Sequence, residues 1–204
     1  MFSSARRLLG TISAGCALGA AVLLVPSVSA AQANLTNFGT CNSNALSQPF
    51  APWGDLSSYE LAPGGDFESA DFTTSPWTLA GGAQIVAGSE PYAATGSLGI
   101  SSLSVPAGAS AVSPTTCVDA RDPTVRLFVA GTGTVAVSLV DGGLVIPAGV
   151  VTGTGSWSPT PVLVTSAPLL ALVSGGTAQV SLELTGLTGS PQVDDVFVDP
   201  WGRG

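Results

Sequence analysis

Apolar residues recur at every second position through much of this chain, and that period limits its folding more than any other feature. Val125, Leu127 and Val129 alternate with Arg126, Phe128 and Ala130; Val135, Val137 and Leu139 with Ala136 and Ser138; Val180, Leu182 and Leu184 with Ser181 and Glu183. Successive side chains on a strand point to opposite faces, so this alternation describes strands with one buried face. The runs are separated by Gly64-Gly65, Gly81-Gly82, Gly131-Thr132-Gly133, Asp141-Gly142-Gly143, Gly153-Thr154-Gly155 and Gly175-Gly176, which is turn chemistry. Residues 135–140 and 144–151 around Asp141-Gly142-Gly143 form the clearest hairpin. No dozen-residue segment carries a helical stripe, and the apolar 168–173 stretch reads as a loop or a single turn. Candidate strands lie near 59–61, 77–79, 83–86, 98–105, 125–130, 135–140, 144–151, 162–164, 180–185 and 193–198. The expectation is an all-β fold, a single antiparallel two-sheet sandwich.

Arg6 and Arg7 precede the apolar 8–25 stretch, and small residues follow up to Ala30 and Ala33. Basic, then apolar, then small is the order of a secretory signal peptide, with cleavage after Ala30 or Ala33. Two rivals are an uncleaved anchor, which Gly10, Thr11, Ser13, Gly15 and Pro26 make short and weakly apolar, and lipidation at Cys16 in Ser13-Ala14-Gly15-Cys16. The expected organisation is a leader over 1–33, an irregular segment over 34–58 and a β-sandwich over 59–204, with the mature protein secreted. Loss of the leader leaves three arginines against thirteen Asp and Glu, a net charge of −10. Such a surface repels phosphate backbones and anionic lipid heads, so no nucleic-acid partner and no membrane association after cleavage are expected.

Cleavage also leaves two cysteines, Cys41 and Cys117. In an oxidising compartment the pair most simply forms one disulfide, tying the irregular segment to the domain. Closing the 41–117 loop is worth about 4 kcal/mol in the chain-entropy account.

The chain has no His, and all five of its cations are arginines. This removes Ser-His and Cys-His nucleophile pairs, imidazole metal sites, Schiff-base lysines and the phosphate-loop ammonium. Carboxylate hydrolysis would need two carboxyls about 5–10 Å apart across a cleft. The adjacent Asp194 and Asp195 are expected to point to opposite faces of a strand, and nothing in the spacing singles out another pair such as Glu90 with Asp119. The expected protein is not an enzyme.

Gly64-Gly65-Asp66-Phe67-Glu68-Ser69 is followed by Trp77, Ser97-Leu98, Gly155-Ser156-Trp157 and finally Gln192-Val193-Asp194-Asp195-Val196-Phe197-Val198. This succession resembles the jelly-roll carbohydrate-binding modules of the galactose-binding-like group, which open on an Asn-Gly-Gly-Phe-Glu type motif and close on an Asp-Asp/Asn-Val strand. Gln48-Pro-Phe-Ala-Pro-Trp-Gly-Asp55 and the ending Val198-Asp-Pro-Trp201 look like a group of secreted actinobacterial proteins of unknown function. The resemblance spans roughly 59–201 and implies a jelly-roll sandwich. It further implies a structural calcium where the first and last strands meet, with Asp66, Glu68 and Asp194 as ligands. Asp66 and Glu68 stand two apart, and Gly64-Gly65 can offer backbone carbonyls to an ion that takes six to eight oxygens. Trp77 and Trp157 fall at the family's core positions.

Sugar binding requires aromatic faces for pyranose rings, flanked by groups that hold hydroxyls. With Phe67, Phe72, Phe128 and Phe197 read as core, Trp53, Tyr59, Tyr92 and Trp201 are the candidate platforms. Tyr92 stands out because it lies in a Gly-bounded loop, 88–96, beside Glu90. The expected ligand-binding set is Tyr92, Glu90, Trp53 and Trp201, while Arg121 and Arg126 beside Asp119 and Asp122 read as a surface ion-pair cluster. The leading expectation is a secreted, non-catalytic protein that binds glycan or cell-envelope polysaccharide. The alternatives are a secreted structural or surface-interaction protein without a sugar site, and a small carboxylate-dependent hydrolase.

Overall fold

The computed structural model describes residues 45–119, 123–165 and 177–199. The leader, Cys41, Arg121, Asp122 and Trp201 lie outside the described residues.

Eleven strands account for most of the described chain: β1 (Glu60–Leu61), β2 (Thr78–Ala80), β3 (Gln84–Ala87), β4 (Ser101–Ser104), β5 (Ser110–Val112), β6 (Thr116–Asp119), β7 (Thr124–Asp141), β8 (Leu144–Pro159), β9 (Leu163–Val164), β10 (Thr177–Gly189) and β11 (Gln192–Asp199). A six-residue helix, α1 (Ser69–Thr74), and a 3-10 turn (Ala51–Trp53) complete it. Every strand pair is antiparallel. The main order β2-β5-β10-β7-β11-β4-β3 sets sequence-distant strands side by side. Its two end strands pack on the same apolar cluster, Leu79 from β2 and Ile85 from β3, with Leu103, Leu127, Val137, Leu182, Leu184 and Val193 between them. A flat sheet cannot bring both margins to one core. The network therefore folds over on itself as an antiparallel β-sandwich of jelly-roll type, with hydrogen bonding continuous from layer to layer.

The first and last strands meet as expected, with Glu60 opposite Val198 and Leu61 opposite Phe197. The Asp141–Leu144 hairpin is also present. Two expected turns are not turns. Gly131-Thr132-Gly133 lies within β7 and Gly153-Thr154-Gly155 within β8, paired as Gly131–Gly155 and Gly133–Gly153. A Cβ on Gly133 would stand 2.1 Å from the Thr188 carbonyl oxygen, and one on Gly153 2.6 Å from that of Gly131. The glycines permit close backbone approach where the ladder slips register between Val129 and Gly131. Strands β5 and β6, which carry no long alternation, had no sequence signal.

All seven residues of β7 from Thr124 to Ala130 are buried, on both faces of the strand. One face belongs to the main core. The other joins Phe50, Tyr59, Phe128 and Phe197 in a second cluster, with Leu61, Ala94 and Trp157 packed against it. The second cluster is roofed by the 45–59 segment, which places that segment beside the 88–100 loop between β3 and β4.

Candidate functional site

The 45–59 segment is built around a buried aromatic plug. Phe50 stacks on Phe128 at 5.4 Å between centroids and meets Tyr59 and Phe197 edge-on at 5.2 and 5.6 Å. Its ends are closed by a reciprocal backbone pair, the Ser47 and Tyr59 amides each donating to the other residue's carbonyl at 2.8 Å. The Gln48 side-chain amide donates to the Leu56 carbonyl. Pro52 fixes φ in the 3-10 turn, and Gly54, at φ 79, ends it. The turn projects Trp53 outward.

The facing loop is held from below by carboxylates. Glu90 accepts hydrogen bonds from the Tyr92 and Ala94 amides, and Asp194 accepts from the Glu90 amide at 2.9 Å and the Ser89 hydroxyl at 2.7 Å. The Tyr92 hydroxyl donates to the Trp157 carbonyl at 2.9 Å. Tyr92 and Trp53 then meet at 5.0 Å and 86°, and both lean on Phe128 at 5.6 and 5.5 Å. They remain 45% and 39% exposed. A cleft of about 350 Å³ opens there, lined by Gln48, Pro49, Pro52 and Trp53 on one side and Tyr92, Ala93 and Ala94 on the other.

Of the four expected ligand-binding residues, the structure brings Trp53 and Tyr92 together. Glu90 requires correction: it is 2% exposed, and its oxygens are taken by loop amides, so it shapes the Tyr92 loop from beneath instead of meeting a ligand. Tyr59 is fully buried and is not a platform. Trp201 lies outside the described residues. Trp77 is buried against Phe67, with its indole N–H donating to the Pro63 carbonyl.

Arg126 is the largest departure from expectation. It is 6% exposed, not on the surface. Its guanidinium donates to Asp55 at 2.8 Å and through Nε and Nη2 to the Thr160 carbonyl, and lies 4.1 Å above the Phe50 ring centroid. Asp55 also accepts from the Tyr59 hydroxyl at 2.8 Å and the Ser57 amide at 3.1 Å. Burial would raise the Asp55 pKa, but the hydrogen bonds from Tyr59, Ser57 and Arg126 outweigh it and hold the carboxyl at about 2. Burial and the neighbouring Asp55 carboxylate push Tyr59 up to about 12.

The three expected calcium ligands occupy one region. Asp66 accepts from the Glu68 amide, and Glu68 Oε1 accepts from the Ile100 and Ser101 amides. Ser89, bonded to Asp194, stands between: Glu68 Oε1 and Ser89 Oγ would lie 2.5 and 2.7 Å from a Cβ placed on Gly99. Asp194 and Asp195 do not follow the strand rule that would part them. The β11–β7 register slips between Asp194 and Phe197, Asp195 adopts φ 45, and both carboxyls are buried. Burial pushes Asp195 up to about 9, reinforced by the charges of Asp194, Glu90 and Asp66, and pushes Asp194 up to about 7 against its own hydrogen bonds. Among the described residues no three acidic or thiol side chains converge as a ready metal cage. Carboxylate oxygens are the kind of donor a hard cation takes, but here those of Glu68 and Asp194 already accept from backbone amides and the Ser89 hydroxyl.

No protein-family model matches the chain, and no curated protein matches it. Its structural neighbours are mostly carbohydrate-binding modules. The enzymatically active domain of bacteriophage CBA120 tailspike protein 4 is 13% identical, with a TM-score of 0.43 over 68% of this chain and 21% of that one. The C-terminal family 6 carbohydrate-binding module of LamC from Zobellia galactanivorans is 11% identical, at 0.39 over 60% of this chain and 98% of its own. A family 6 module from Clostridium stercorarium, solved with cellobiose, is 18% identical, at 0.41 over 62% and 87%.

Proposed function

We propose that this chain is a secreted, non-catalytic glycan-binding protein that takes a sugar at the Trp53–Tyr92 cleft. The observation carrying this reading is the pairing of two half-exposed rings on a common buried base, Phe128. A pyranose presents C–H groups on one face and hydroxyls at its rim, so a fixed aromatic wall beside Gln48 and open backbone matches its chemistry. Because Trp53 and Tyr92 touch edge to face, the sugar lies against them and is not sandwiched between them. Among the described residues the cleft lining holds no carboxylate pair, which supports binding over hydrolysis. The structural calcium is kept as part of this proposal, beside Asp66, Glu68 and Asp194.

A glycan array on the mature protein, followed by calorimetry of its best oligosaccharide, tests the reading. Trp53→Ala and Tyr92→Ala are each expected to weaken binding by about 1–3 kcal/mol, the loss of one buried aromatic contact. Affinity indifferent to both substitutions would move the sugar elsewhere. No binding to any glycan would favour the surface-interaction alternative.

A further inference from the structure

Four of the seven residues around the cleft, Gln48, Pro49, Pro52 and Trp53, come from one irregular segment. Among the described residues, that segment's isolated backbone bridge, Ser47 to Tyr59, closes the segment on itself and does not tie it to the sheet. Something else must hold Trp53 at its angle to Tyr92, and the geometry points to Arg126 as the positioning residue of the aromatic cleft, acting on Trp53 through Asp55 and Phe50. This inference rests on the glycan-binding reading for its biological meaning, but not for its test.

Arg126 projects from β7, where it stands opposite Phe197 on β11, so its base is fixed by the sandwich. Two of its nitrogens fork onto the Thr160 carbonyl, just beyond β8, which leaves the guanidinium plane a single orientation. In that orientation Nη1 meets Asp55 at 2.8 Å while the flat face covers Phe50. Phe50 and Asp55 flank the 3-10 turn on either side, and the Asp55 amide donates back to the Phe50 carbonyl at 3.3 Å. One guanidinium therefore grips both ends of the turn that carries Trp53. A lysine in its place keeps the charge but can neither fork onto Thr160 nor lie flat on Phe50.

The cleft then has two independently anchored walls: Arg126 through Asp55 on the Trp53 side, and Asp194 through Glu90 on the Tyr92 side. Neither anchor lines the cleft. Both act by fixing the rings, which cuts the ordering cost a ligand would otherwise meet.

Amide hydrogen exchange on the wild-type protein and on Arg126→Lys, Arg126→Gln and Asp55→Asn tests the assignment. The expected result is exchange at Ser47 and Tyr59 faster by about tenfold or more, with Leu182 and Leu184 in the sheet unchanged. Alongside it, titration with cellotriose and galactotriose, at a temperature where each variant remains folded, is expected to show weaker binding in the same variants. Asp55→Asn retains an acceptor for the Tyr59 hydroxyl and keeps the test readable if the Arg126 variants fail to fold. Ser47 and Tyr59 exchanging as in the wild type, or only in step with Leu182, would overturn the assignment. Absence of saccharide binding by the wild-type protein counts against the glycan reading alone, because the exchange measurement stands without it.

Discussion

Asp195 combines a left-handed backbone, φ 45, with a buried carboxyl beside Asp194 and Glu90. Asparagine tolerates that backbone at least as well and carries no charge. The folded-state pKa is raised, to about 9 from 3.8, so the residue's contribution to stability is fully present below about pH 4 and is lost as pH rises through about 9. Asp195→Asn is accordingly expected to melt like the wild type at pH 4 and several degrees higher at pH 8, with calcium chelated. Millimolar calcium should then raise the wild-type melting temperature at pH 8, since an ion that binds only the folded state stabilises it, and raise the variant's less. A wild-type transition that ignores calcium would remove the ion from the proposal. Trp53 and Tyr92 were legible as candidates because large aromatics flanked by Gly and Pro have no period to place them in a core. Arg126 was not, because alternation assigned it to an outward face, and no local pattern reveals that the 45–59 segment covers that face.

Most strands, the two-residue β1 and β9 included, stand near where the sequence puts them. The β10 and β11 cores and the β7–β8 hairpin stand where period two puts them, whereas β5 and β6 are recognisable only by their partners on β10. Glycine marked irregularity correctly but not its kind: turn and bulge need the same residue for different reasons. Gly133→Ala separates them. Its Cβ would lie 2.1 Å from the Thr188 oxygen and 2.9 Å from Pro191 Cδ, at φ +136, so β7, β10 and the turn before β11 must all give way. A loss of about 2–4 kcal/mol in urea unfolding is expected. Gly88→Ala shares a positive φ, +107, but meets nothing within 4 Å, and only the backbone strain of about 1 kcal/mol remains. Equal losses at the two positions would mean that φ alone, and not crowding at the bulge, sets the cost.

At the scale of the molecule, the cleft is a joint between a regular body and an irregular strap, so its integrity depends on what ties the strap down. Arg126 from β7 and Phe50 from the strap do so among the described residues; the remaining tie proposed from the sequence is a disulfide between Cys41 and Cys117. Cys117 lies on β6 opposite Gln179 of β10, a position fixed by the sheet, and Cys41 precedes the strap by a few residues. A bond between them would shorten the free path of the chain into the strap and remove loop entropy from the unfolded state, worth about 4 kcal/mol for a closure of this span. Protein secreted into an oxidising medium is expected to show a Cys41–Cys117 peptide pair under non-reducing digestion. Reduction, or Cys41→Ser with Cys117→Ser, is expected to lower the urea midpoint by the equivalent of about 2–4 kcal/mol. If the strap is what the bond serves, exchange at Ser47 and Tyr59 should quicken before that of the β7–β10 ladder. Secreted protein with both thiols titratable and an unaltered midpoint would leave the buried Arg126–Asp55 contact as the principal tether of the cleft.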